Sequence, residues 1–300
     1  MPSKYDHSLF VNQQTGVCLF ALVYVDDILI TVSSSPLIHD LITKLHNKFS
    51  LKKLGKPEYF LGIEVKYQAN GSLILTQTKY IRDLIAKLNM SDSKGVTTPM
   101  FSHCKLSKHD SDTMQDPTLH RSTVGALQYV TITRPEIAFS VNKAYQFMAS
   151  PLDSHWSVVK RILHYLSGTS TYGLLLMPAD PAHIFTLRAY SDSDWASDPD
   201  DRRSTSGSCI YFGSNLVSWS SKKHPLGARS SFEAEYRGLA HATSELLWLE
   251  SLLSELQVPL QPPTLLCDNL SVVMLSHNPV LHAHTEHIEL DIHFVRESCG

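Results

Sequence analysis

The stretch CLFALVYVDDILITV at residues 18–32 leaves this chain few options. Its aliphatic, aromatic and β-branched residues suit strands, while Asp26 and Asp27 are the two least strand-like residues in it. Two short apolar strands joined at the aspartates, a hairpin with carboxylates at its tip, satisfy both facts. The uninterrupted apolar part, residues 18–25, is far short of the roughly 20 residues that cross a bilayer. No charged segment followed by an apolar one opens the chain, so neither a membrane span nor a secretory signal is expected. Paired carboxylates in a turn are usually solvated. Where apolar flanks bury them, they need a metal or another cation. From this segment alone both readings stand.

Apolar residues at helical period predict a helix over 37–49, and the Asn70-Gly71 pair predicts a hairpin between the runs 59–67 and 72–77. A further helix is expected over 79–88. Residues 91–117 are rich in Ser, Thr, Asp and Pro without periodicity, which suits a linker or a long wrapping connection. Three helices are then expected, over 119–131, 136–148 and 154–167, with Asp153 as a cap for the last, and they should pack together. Beyond them, 184–191, 209–212 and 216–220 read as an antiparallel meander turned at Gly213-Ser214-Asn215. Ser230 to Glu233 makes an S-x-x-E capping box opening a long helix, followed by a strand over 264–267 and helical stretches over 270–276 and 280–296.

Composition separates the two ends of the chain. Its 300 residues are 43% hydrophobic and 18% charged, which excludes a disordered or fibrous protein and leaves room for about two domains. Basic residues outnumber acidic ones 18 to 14 through Asp180, but the balance reverses to 8 against 15 after it. An acidic C-terminal part is odd for a protein that only neutralises phosphates. It is expected of a site that gathers carboxylates around a divalent ion. Cys18, Cys104, Cys209, Cys267 and Cys299 are odd in number and scattered, so neither a disulfide framework nor a structural zinc site is expected, and a reducing intracellular compartment, cytoplasm or nucleus, is the expectation.

Three acids of the last part sit where an α/β sheet collects chemistry. Asp192 ends an expected strand, Asp268 ends another, and Glu235 lies in the opening turns of the helix between them. Carboxylates meeting at such strand ends can hold two divalent metals about 4 Å apart, the arrangement that hydrolyses phosphodiesters. The same aspartates also suit ordinary turns and helix caps.

Several motifs, taken in order, go further. Tyr24-Val25-Asp26-Asp27, Tyr59-Phe60-Leu61-Gly62-Ile63-Glu64-Val65 and Thr133-Arg134-Pro135-Glu136-Ile137 are followed by Ser191-Asp192-Ser193-Asp194-Trp195-Ala196, Arg202-Arg203-Ser204-Thr205-Ser206-Gly207, Ser218-Trp219-Ser220-Ser221-Lys222-Lys223, Glu233-Ala234-Glu235-Tyr236 and Cys267-Asp268-Asn269. Over essentially its whole length the chain resembles the C-terminal part of the Pol polyprotein of copia-type LTR retrotransposons, the end of reverse transcriptase joined to ribonuclease H. The resemblance implies a mixed α/β protein. Residues 1–100 would be a partial reverse-transcriptase palm and thumb, 101–180 a helical connection, and 181–300 a truncated ribonuclease H-like domain lacking its last strand and helix. It further implies that Asp192, Glu235 and Asp268 bind Mg2+, with Mn2+ as a substitute, and cleave RNA in an RNA-DNA hybrid, while Asp194 and Glu233 stand near without ligating. Arg202, Arg203, Lys222, Lys223 and Arg229 become expected nucleic-acid contacts, Trp219 an expected core residue, and no membrane partner is expected.

The family pattern also sets expectations of loss. The polymerase site takes a third carboxylate from upstream of Tyr24, so Asp26 and Asp27 are expected to be an orphan half-site. The nuclease takes a fourth acid from a helix beyond Arg296, so activity is expected to be weak or absent and a non-catalytic relic is the alternative. Glu289 and Asp291 are poor substitutes for that acid because they precede the missing strand. His282, His284, His287 and His293 form a histidine-rich stretch whose neighbours complete no standard zinc spacing.

Overall fold

The computed structural model describes residues 1–14, 17–33, 35–49, 55–102, 104–179, 185–277 and 288–298. Three sheets and a helical unit make up these residues. The first sheet is an antiparallel meander of β1 (Leu9–Gln14), β2 (Val17–Tyr24) and β3 (Asp27–Val32), with α1 (Ser35–Phe49) lying against β3. The expected hairpin is there, but Tyr24 pairs with Asp27, so the two-residue turn is Val25-Asp26 and Asp27 already belongs to β3. Val25 holds φ +48, a conformation that a β-branched residue adopts only under strain.

The second sheet runs β4 (Tyr59–Phe60), β5 (Ile63–Tyr67), β6 (Leu73–Thr76) and β7 (Gly173–Leu176), all antiparallel. The run 59–67, expected as one strand, is itself a tight hairpin. Leu61 and Gly62 both take positive φ, +48 and +77, and Phe60 pairs with Ile63. Tyr129 explains the kink: its hydroxyl donates to the Leu61 carbonyl, and a Cβ on Gly62 would collide with the hydroxyl oxygen of Tyr129. Tertiary contact has overridden strand propensity here. Neither β1 nor β7 is anticipated by the sequence pattern, because β7 is a four-residue run that pairs with β6 across the intervening helices.

Those helices are α2 (Thr78–Lys87), α3 (Pro117–Val130), α4 (Ala138–Tyr145) and α5 (Asp153–Gly168). Ile81, Leu127, Ile137, Ile162, Leu163 and Leu166 are fully buried between them. Asp116 caps α3 by accepting from the Leu119 N–H at 2.9 Å, whereas Asp153 is the first residue of α5 and not its cap. The expected helix 136–148 begins as a short 3-10 turn, Pro135–Ile137, because buried Arg134 is anchored: it pairs with Glu136 at 2.6 Å and donates to the Thr169 carbonyl at 2.9 Å. The segment 91–117 wraps this unit, with Leu106 and Met114 buried and the Met114 N–H bonded to the Pro151 carbonyl at 3.1 Å.

The third sheet has the order β10 (Asn215–Lys223), β9 (Thr205–Phe212), β8 (Leu187–Ser193) and β11 (Thr264–Cys267). The first three are antiparallel, as the meander pattern predicts. β11 joins β8 in parallel. A parallel neighbour requires a long crossover, and α6 (Ser231–Glu255) supplies it while covering one face. Strict alternation in β8 buries Leu187, Ala189, Ser191 and Ser193 and exposes Arg188, Tyr190 and Asp192. α7 (Leu270–His277) and α8 (Glu289–Ser298) pack beside α6. Of the expected stretches 184–191 and 280–296, residue 184 and residues 280–287 lie outside the described residues.

Two turn substitutions should move stability in opposite directions. Gly62→Ala forces a Cβ against the Tyr129 hydroxyl at positive φ and is expected to cost at least about 2 kcal/mol. Val25→Gly releases strain and is expected to stabilise its hairpin by about 1 kcal/mol. Thermal unfolding of the two variants beside the parent checks both signs; shifts in the same direction would count against these turn assignments.

Candidate metal centre

The centre is set by the register of β11 on β8. Cys267 lies opposite Ser191, so Asp268, the first residue past β11, stands beside Asp192, which is still inside β8 and paired with Gly207, on strands about 4.8 Å apart. Glu235 arrives from α6. Its helix start is held by Ser230, whose Oγ accepts from the Glu233 N–H at 3.2 Å, and by Glu233, which accepts from the Arg229 N–H at 2.7 Å and pairs with Arg237 at 2.6 Å. One turn beyond Glu235, Gly238 lets helix and sheet approach closely: a Cβ there would meet Ser206 Oγ at 2.8 Å and Ser191 Oγ at 3.2 Å. Ligand atoms of Glu235, Cys267 and Asp268 consequently lie within 4.8 Å of one another. Among the described residues this is the group of three metal-ligating side chains that forms.

Charge is crowded here. Glu235 is 8% exposed, and burial, reinforced by Asp192 and Asp268, lifts its carboxyl to about 7, against a hydrogen bond from the Ser193 backbone. Its Oε2 atom has no hydrogen-bond partner. The Cys267 thiol is also raised, by burial first and then by Glu235, Asp268 and Asp192, against the Asn269 backbone. Asp192 and Asp268 face an open cleft of about 800 Å³. Tyr190, Trp219 and Leu266 line its sheet side, and Glu136 and Phe139 line its helical side. A buried carboxylate oxygen without a donor, beside two exposed carboxylates, fits a hard divalent cation such as Mg2+.

Other residues singled out above are placed differently. Asp194 accepts from the Thr205 N–H at 2.7 Å and from Ser197 Oγ at 2.6 Å, so it serves the loop after β8, as Glu233 serves the helix start. Lys223 is held by Asp198 at 2.7 Å and Asp201 at 2.9 Å, and the more exposed Arg203 faces Asp201 at 3.5 Å. Arg202, Lys222 and Arg229 are exposed, Arg202 at φ +57. Trp219 is half-buried and not core: its Nε1 donates to the Thr131 carbonyl at 3.1 Å and joins the third sheet to the helical unit.

Asp26 and Asp27 are exposed on the first sheet, and among the described residues they belong to no group of three metal-ligating side chains. Asp291 is held high by burial, Glu289 is exposed, and His293 pairs with Glu297 at 3.3 Å on α8, while His282, His284 and His287 lie outside the described residues. Cys267 is the member of the centre that the sequence reading passed over. Its position directly before Asp268 was the available signal.

Crowding at Glu235 should be visible in stability. Its carboxyl is raised above the unfolded value of 4.5, so the folded chain keeps a proton that the unfolded chain releases. The metal-free protein therefore loses stability as pH rises from 4.5 through about 7. Glu235→Gln has no such proton to lose. In chelator, its stability relative to the parent should improve between pH 4.5 and pH 8 by up to about 3 kcal/mol. A difference that does not change with pH would mean that Glu235 is not buried beside the two aspartates as placed.

Comparison with known proteins identifies the family of the chain. Residues 1–102 match the family described as reverse transcriptase (RNA-dependent DNA polymerase). The retrovirus-related Pol polyprotein from transposon RE1 of Arabidopsis thaliana is 46% identical over 295 residues, 98% of this chain and 20% of that protein. Its counterpart from transposon RE2 is 46% identical over 292 residues, 97% of this chain and 20% of the relative. An uncharacterized mitochondrial protein of Arabidopsis thaliana is 43% identical over 231 residues, 77% of this chain and 94% of that protein. The chain thus spans about a fifth of the length of the Pol polyproteins that it matches. Identity sustained along nearly the whole chain, from the Tyr24–Asp27 hairpin through the Asp268 strand end, means that the chain belongs to the copia-type retrotransposon Pol polyprotein family, with a reverse-transcriptase region at its start.

Proposed function

We propose that the C-terminal part of the chain, expected over residues 181–300, carries a ribonuclease H-like centre that cleaves the RNA strand of an RNA-DNA hybrid. The observation that carries this reading is the meeting of Glu235 and Asp268 within 4.8 Å, with Asp192 on the neighbouring strand end. Also in its support, three antiparallel strands, a helix and a parallel fourth strand are the order that the family resemblance implies. Divalent-metal dependence is general to reverse-transcriptase families; Mg2+, replaceable by Mn2+, is our assignment for this centre.

When bound, the metal activates water and stabilises the leaving oxygen of a phosphodiester. The chain's own residues do the positioning. Asp192 and Asp268, exposed near adjacent strand ends, present carboxylates to the cleft, while buried Glu235 holds a carboxyl whose proton a bound cation would displace. Tyr190, Trp219 and Phe139 offer apolar and aromatic surface for sugars and bases along the cleft. Exposed Arg202, Lys222 and Arg229 are the basic residues that we assign to backbone phosphates. Lys223 and Arg203 contribute less, because each already faces a carboxylate.

The competing reading is a non-catalytic, nucleic-acid-binding relic, and the exposed Asp26-Asp27 pair, in no metal-ligating group among the described residues, favours it for the polymerase part. A labelled hybrid distinguishes the two. We expect slow RNA cleavage in Mg2+, faster cleavage in Mn2+, and a loss of at least about a hundredfold in Asp192→Asn. Asp26→Asn should leave the rate unchanged. Hybrid binding without cleavage in either metal would favour the relic, and cleavage that survives Asp192→Asn would remove Asp192 from the site.

A further inference from the structure

The thiol within the carboxylate cluster is the feature that the reading above leaves unused. Cys267 is the last residue of β11, and its Sγ shares the 4.8 Å group with carboxylate oxygens of Glu235 and Asp268. A ligand is indicated independently by Glu235, which is 8% exposed and has an Oε2 atom without a hydrogen-bond partner. To the two carboxylates, which suit a hard ion, the sulfur adds a donor that a hard ion does not use. Sulfur favours borderline and soft cations, whereas Mg2+ takes oxygens.

We propose that Glu235, Cys267 and Asp268 form a mixed thiolate-carboxylate site that takes Zn2+ or Cd2+ in preference to Mg2+, so that a soft cation excludes a hard one from the two carboxylates. Zinc bonds of about 2.3 Å to sulfur and 2.0–2.2 Å to oxygen place tetrahedral donors roughly 3.5 Å apart. The present group closes to that spacing by side-chain movements of about an ångström. The thiol gives its proton to solvent as the metal-sulfur bond forms, and water completes the shell from the cleft, which Cys267 and Asp268 both line. Cys209 lines the same cleft but lies outside the group, and so serves as an internal control.

This inference rests on the same two carboxylates as the proposed nuclease, but its test uses no nucleic acid. The reduced full-length chain is titrated with Cd2+ and Zn2+. Cd2+ should produce ultraviolet thiolate-to-metal charge-transfer absorption, and X-ray absorption of the Zn2+ form should show one sulfur neighbour. Cys267→Ser should abolish the Cd2+ band and weaken Zn2+ binding at least about tenfold, while Mn2+ affinity read by electron paramagnetic resonance stays within about twofold. Cys209→Ser should change none of these, and Glu235→Gln should weaken Zn2+ and Mn2+ together. Zinc should displace bound Mn2+ from the parent and require at least about ten times more metal to do so in Cys267→Ser. An all-oxygen zinc shell in the parent, or an unchanged Cd2+ band in Cys267→Ser, would overturn the proposal. Thiolate ligation without hybrid cleavage would refute only the nuclease, and cleavage without thiolate ligation would refute only this site.

Discussion

The parallel pairing of β11 with β8 is the constraint on which the centre depends. Hydrogen bonds along that ladder set Cys267 beside Ser191, and from that one register the carboxylates of Asp192 and Asp268 emerge together. A slip of one residue would turn every β8 side chain over, burying Asp192 and exposing Ser191 and Ser193. Packing prevents the slip. Leu187 and Ala189 are fully buried beside Ile210, Leu246 and Leu249, and Gly238 seats α6 on Ser191 and Ser206.

That same seating creates the electrostatic conflict. α6 carries Glu235 into a place where burial and two neighbouring carboxylates all oppose its charge. Proteins tolerate such crowding where a cation resolves it. The acids that are not part of the conflict are satisfied by protein groups: Asp194 by the loop after β8, Glu233 by Arg237 and a backbone N–H, and Asp198 by Lys223. Contrast between satisfied and unsatisfied carboxylates, more than acidity itself, separates the centre from its surroundings.

The rest of the chain frames the cleft. Trp219 hydrogen-bonds across to Thr131, and Asn215 holds Met177 through Nδ2 and Oδ1 at 3.0 and 2.6 Å. Ser107 and Lys108 of the wrapping segment bond Asp200 at 2.6 and 2.9 Å. These contacts tie the helical unit to the third sheet from two sides, so Glu136 and Phe139 form a wall of the cleft opposite Tyr190. Far from it, Ser3 and Lys4 bond Glu255 at the end of α6.

Local pattern alone determined much of this protein. Period-two alternation marked β8, the Gly213-Ser214-Asn215 turn marked the meander, and Ser230 with Glu233 marked the start of α6; these signals rest on near neighbours in the chain. The acids Asp192, Glu235 and Asp268 could be named for the same reason, since each stands at the end of a legible element. Only the tertiary structure decided what depends on partners distant in sequence. Tyr129 folds residues 59–67 into a hairpin, β7 finds β6 across the helices, and Trp219 is claimed by Thr131 and not by the core. Cys267 became a member of the centre in the same way, through the closeness of α6 to β11, which no periodicity in either element encodes.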